Sequence, residues 1–176
     1  MRFSAASTHK RPRPLKAWLS RSCDIISFSL ALGHKPNGQC LMFDTKFAIV
    51  LREDLPVWQK LNVTAFLTSG IVAQFPDIIG EPYRDRAGNL YNPLSIQPVI
   101  VLSADQTTLG TIHRRTLERG VTTSLYVEEM FSTGFDAANR AVFAEFAPED
   151  AKVVGIALRA DKKLVDKITK GARMHA

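Results

Sequence analysis

From Thr45 onward, short apolar runs rich in β-branched residues take turns with longer segments in which apolar and polar positions interleave. The first run, TKFAIVLR, lies between Asp44 and Glu53 and predicts a buried strand. REDLP then puts an acid at a helix start and a proline in its first turn, and PVWQKLNVTAFLTSGIV continues as a helix ending near Phe75-Pro76. DIIGEPYRDRAGNLYNPLSI is crowded with Gly, Pro, Asn and Asp and predicts a long loop or a hairpin around RAGN. QPVIVLSA is a second strand. SADQTTLGTIHRRTLERG predicts a helix capped by Ser103 or Asp105, with Leu109, Ile112 and Leu117 inward and its end at Gly120. VTTSLYVEEMF, with Leu125 and Val127 alternating against Tyr126 and Glu128, is a third strand. A helix from Asp136 to Phe146 follows, then a fourth strand, KVVGIALRA. The closing helix, DKKLVDKITKG, has Leu164, Val165 and Ile168 inward. Strands alternating with helices predict an α/β fold: a single domain with a four-stranded mixed sheet flanked by helices.

Charge divides the chain unevenly. Of 176 residues, the first 41 hold Arg2, Lys10, Arg11, Arg13, Lys16, Arg21 and Lys35 against the single acid Asp24, which accounts for the whole net charge of +6. Residues 42–176 are neutral. Both cysteines, Cys23 and Cys40, also precede Met42, so disulfides and a cysteine-based zinc site are excluded for the domain. Residues 1–41 are too basic and polar to offset their ordering entropy and are expected to be poorly ordered. A secretory signal, an Arg-rich targeting or phosphate-binding arm, and an upstream extension from a misassigned start codon compete for this segment. The compact start at MFDTKFAIVLRED favours the extension, with the domain occupying 42–176. The longest apolar run, IISFSLALG, is about half of the roughly 18 residues that a membrane span needs, so a soluble, cytoplasmic protein is expected.

Polar groups inside the first helix raise the question of a site. On a helical wheel Val57, Leu61, Ala65, Val72 and Phe75 form one apolar face, with Phe66, Leu67 and Ala73 away from it, so the helix is expected to be covered on most sides. Lys60, Thr64 and Thr68 share a second row, and Asn62 and Ser69 a third. A cleft along the second row would have an ammonium with two hydroxyls beneath it, suited to an anion or a carbonyl. Alternatively, Lys60 lies along the helix flank and the threonines bond back to helical carbonyls. Tyr83, Asp85, Asn89 and Tyr91 gather in the loop before the second strand, where they line a site or simply build a turn. Thr133, Asp136 and Asn139 fall at a strand end and a helix start, where α/β sheets bind ligands; capping accounts for the first two but not for Asn139. His113, among Arg114, Arg115 and Arg119, is expected on a solvated basic face. Ser-His and Cys-His catalysis, multi-histidine metal sites and phosphate-binding glycine loops have no support, and no metal or cofactor is expected.

KFAIVLREDLPVWQKLNVTAFLTSGI resembles the opening of the archaeal and eukaryotic type of peptidyl-tRNA hydrolase: a strand, an Arg-x-Asp-Leu turn and a lysine-bearing helix. KVVGIALRADKKLVDKITK resembles that family's closing strand and last helix. The span from Phe43 to Arg173, including GEPYRDRAGNLYNP and FSTGFDAANR, is also similar to a bacterial family of unknown function with that hydrolase-like fold. The resemblance implies a peptidyl-tRNA hydrolase II-like fold and places Lys60 on or near an active-site lysine. The hydrolases' Asp-Ala-Gly-Arg-Thr run is replaced by ANRAVFAEFAPEDAK, leaving Thr133 and Asp136 as the nearby substitutes, and the glycines beside the lysine are replaced by Val57, Trp58 and Gln59. Two functions are therefore expected in competition. One is hydrolysis of an ester or related acyl bond, with Lys60, Thr133 and Asp136 catalytic and Asn62, Thr64, Thr68, Tyr83, Asp85 and Asn139 binding. The other is a non-catalytic module for a small metabolite or a protein. A small-molecule ligand and a homodimer fit both; tRNA is not expected to bind neutral residues 42–176.

Overall fold

β1 (Thr45–Arg52) is the strand around which the sheet is assembled. Its side chains alternate between faces. Phe47, Ile49 and Leu51 pack with Val63, Leu67 and Ile71 of α1 (Val57–Gln74). Ala48 and Val50 pack with Leu109 and Ile112 of α2 (Gln106–Glu118) and with Val165 and Ile168 of α4 (Lys162–Ile168). The computed structural model describes residues 43–175, so the expectations for residues 1–41 lie outside the described residues.

The described residues form a five-stranded sheet in the order β5–β6–β1–β4–β7. Its other strands are β4 (Val99–Ala104), β5 (Ser124–Val127), β6 (Val153–Asp161) and β7 (Arg173–Met174). β1 and β4 are parallel and joined through α1, and the remaining pairs are antiparallel. The fifth strand corrects the four-stranded expectation. β7 is two exposed residues after Gly171, whose φ is 108°, and an Arg-Met pair carries neither alternation nor β-branching. The expected hairpin around RAGN is present as β2 (Tyr83–Arg84) paired with β3 (Leu90–Tyr91). Buried Gln97 joins the starts of β1 and β4 to the end of β6: its amide nitrogen donates to the Thr45 carbonyl at 2.7 Å, and its oxygen accepts from Arg159 Nε at 2.9 Å.

Close approach of α1 to the sheet depends on Gly155. A Cβ there would lie 2.5 Å from Val63 Cγ1. This packing also corrects the expected face of α1, because the core takes Val63, Leu67 and Ile71 while Val57 and Leu61 are exposed. Apolar and polar residues are mixed around the helix, so its periodicity had little contrast with which to choose a face. In α2, Asp105 is the cap, its carboxylate accepting from the Thr108 amide at 2.7 Å. The buried positions are Leu109, Ile112, His113 and Thr116, the i, i+3, i+4, i+7 set. Leu117, expected inward, is exposed, and His113, expected in solvent, is buried. α3 (Asp136–Phe143) ends before Phe146 and buries none of its residues.

Candidate functional site

Past the buried part of β5 the chain turns sharply. A 3-10 turn over Glu128–Ser132 brings Phe131 beside α1, and Thr133 to Phe135 lead into α3. The Phe131 ring meets Trp58 nearly edge-on, with centroids 6.0 Å apart, and lies 5.2 Å from Tyr126, which is 5.8 Å from Phe66. These rings wall a cleft of about 370 Å³ that is also lined by Asn62, Thr133, Asp136 and Asn139. A second recess of about 450 Å³ shares Phe66, Tyr126, Met130, Asp136 and Asn139 with it and runs on toward Phe143. The two make one branched concavity between α1, β5 and α3, of the size usual for small-ligand sites, with mixed polar and apolar walls in the cleft and a mainly apolar recess.

Its polar groups are few and mostly committed. The Thr133 hydroxyl lies 2.8 Å from the Met130 carbonyl and within hydrogen-bond reach of the Asn139 side-chain oxygen, which restrains that amide. Asp136 forms an ion pair with Arg140 one turn on, both largely exposed. Burial holds the Tyr126 phenol above its ordinary pKa, so it stays neutral. Asn62 is exposed at the mouth.

Of the residues expected to form a site, the structure brings together Asn62, Thr133, Asp136 and Asn139 and leaves five elsewhere. Lys60 is two residues from Asn62, about 200° around the helix axis, and does not line this cleft. Among the described residues its ammonium has no hydrogen bond or ion pair. Thr64 and Thr68 donate to the carbonyls of Lys60 and Thr64, each at 2.7 Å, as in the back-bonding alternative. Tyr83 and Asp85 belong to the β2–β3 hairpin. The Asp85 carboxylate accepts from the Ala87 and Asn89 amides, the Asn89 side chain and the Tyr91 hydroxyl at 2.8–2.9 Å, and the bonds from Asn89 and Tyr91 hold its pKa below the usual carboxylate range. A carboxylate with four donors in its own turn is a turn-builder.

The aromatic half of the cleft escaped sequence reasoning. Trp58 and Phe66 lie on α1 and Tyr126, Phe131 and Phe135 in one later stretch, and nothing in the sequence marks the two groups as neighbours. The available signal was the aromatic surplus on α1 once its core stripe is assigned.

A mixed sheet with α1 on one face, α2 and α4 on the other, and an aromatic cleft beside its β5 edge defines an α/β protein with a ligand-sized concavity. Within that class the chain belongs to the DUF2000 family of proteins of unknown function, which it matches over residues 45–176. A protein of unknown function from Agrobacterium tumefaciens has a similar structure, with a TM-score of 0.76 and 72% identity over 77% of this chain and 100% of that one. No curated protein matches the chain. Among the described residues no helix is long and apolar enough to cross a membrane.

Proposed function

We propose that this protein is a non-catalytic binding module for a small metabolite, held in the cleft between α1 and α3. The observation that carries the reading is the convergence of Asn62, Thr133 and Asn139 with five aromatic rings where no nucleophile is paired with a base. Such a wall supplies apolar contact and a few orienting hydrogen bonds, which is what binding needs. The peptidyl-tRNA hydrolase II-like fold remains part of the proposal. In its favour, the two segments that resemble that family, β1 to α1 and β6 to α4, are joined in one sheet by the β1–β6 ladder. Acyl-bond hydrolysis is the second reading, supported by half-buried Lys60, whose ammonium has no partner among the described residues. Crystals soaked with metabolite mixtures separate the two. An intact ligand ordered beside Asn139 supports binding. A cleaved product, together with ester turnover lost in Lys60→Ala, supports hydrolysis and overturns the module.

A further inference from the structure

We infer that the cleft beside Trp58, Asn62 and Asn139 takes an uncharged planar heterocycle with a hydrogen-bond donor and an acceptor on one edge, the chemistry of a free purine or pyrimidine base. The inference rests on the small-molecule reading and adds the ligand's class to it.

Exposed ring surface is the first ground. Trp58, Phe66 and Phe135 are 61%, 51% and 67% exposed, and none of them belongs to the buried core. Large rings left in water at the rim of one cleft provide π faces that a flat ligand covers, and stacking of that kind tolerates any flat ring.

Selection among flat rings falls to the two amides. Asn62 comes from α1 and Asn139 from α3, and both line the same space. An amide side chain donates and accepts, so it matches a ring edge that does both, as asparagine matches the edge of adenine. Thr133 lies within hydrogen-bond reach of the Asn139 oxygen and limits its rotation. A restrained amide discriminates between edges better than a free one, because less freedom is lost on binding.

Charge sets the remaining limit. Among the described residues, the cleft and its neighbouring recess hold one cation between them, Arg140, and Asp136 pairs with it. A phosphate or carboxylate on the ligand therefore finds no free partner there.

The test is calorimetric titration of the full chain with adenine, uracil, adenosine monophosphate and indole. Adenine or uracil is expected to bind, adenosine monophosphate to bind no tighter than adenine, and indole to bind about tenfold more weakly. Trp58→Ala should weaken the base by about tenfold. Asn139→Leu should weaken it by about fivefold while leaving indole within about twofold. Melting curves serve as the folding control for both variants. Indole binding as tightly as the bases overturns the ligand class but leaves a small-molecule cleft standing. Much tighter binding of the monophosphate overturns the uncharged requirement, and base binding untouched by both variants overturns the location. Failure of all four ligands overturns the inference, and the soaking experiment then decides the broader reading separately.

Discussion

A single imidazole ties α2 to the stretch that returns from α3. His113 is buried and hydrogen-bonds the Pro148 carbonyl, and burial pushes its pKa below the ordinary histidine value despite that bond. The folded protein thus keeps it neutral, whereas the unfolded chain protonates it near the ordinary value of about 6.5. Its contribution to stability is complete above that pH and is lost as pH falls through it toward the lower folded value. Urea unfolding at pH 7.0 and about pH 5.5 should show wild-type stability falling more than that of His113→Gln; parallel losses would contradict this. In the sequence, neighbouring arginines argued for solvent at His113, and the hydrophobicity of Leu117 argued for the core. Position decided against both, because the i, i+3, i+4, i+7 set from Leu109 includes His113 and Thr116. Asp105 was legible as a cap because capping depends on one side chain and the adjacent backbone. The cleft was half legible. Asn139 stood out as a polar residue that capping leaves unexplained, whereas the contacts of Trp58 with Phe131 and of Phe66 with Tyr126 join segments that only the folded chain brings together.

Along α1, two apolar stripes have different fates. Leu67 is buried against the sheet, and Leu61 faces solvent. Leu67→Ala should therefore cost about 2–5 kcal/mol, the range for emptying a packed core position. Leu61→Ala should stay within about 0.5 kcal/mol of wild type. Urea midpoints at unchanged slope measure both, and a large effect at Leu61 would show that its face is covered. The strands were legible because Phe47–Leu51 and Val153–Leu158 are nearly continuous apolar runs, as strands buried on both faces are. The face of α1 was not, because a glycine 92 residues beyond Val63, Gly155, sets how closely that side chain approaches the sheet.

For the whole molecule, the placement of charge bears on nucleic acid. Residues 42–176 are neutral, and Arg114 and Arg119, the exposed arginines of their densest basic run, are both paired with Glu118. Phosphate-backbone affinity comes chiefly from cations that neutralise phosphates. A fragment of residues 42–176 should accordingly bind tRNA no more tightly than about 10⁻⁴ to 10⁻⁶ M at physiological salt. Filter binding across a salt series, with the full chain beside the fragment, checks this; sub-micromolar affinity in the fragment would return tRNA to the list of partners.

The β1–β6 ladder also constrains the molecule while it is being made. Thr45 pairs with Asp161, so the central strand leaves the ribosome well before its antiparallel neighbour and gains it only after all the chain between them has been made. Until then Phe47–Leu51 is an apolar strand with an open edge, the kind of segment that chaperones shield. Assembly of the sheet is therefore governed by contacts distant in sequence, and such contacts form slowly.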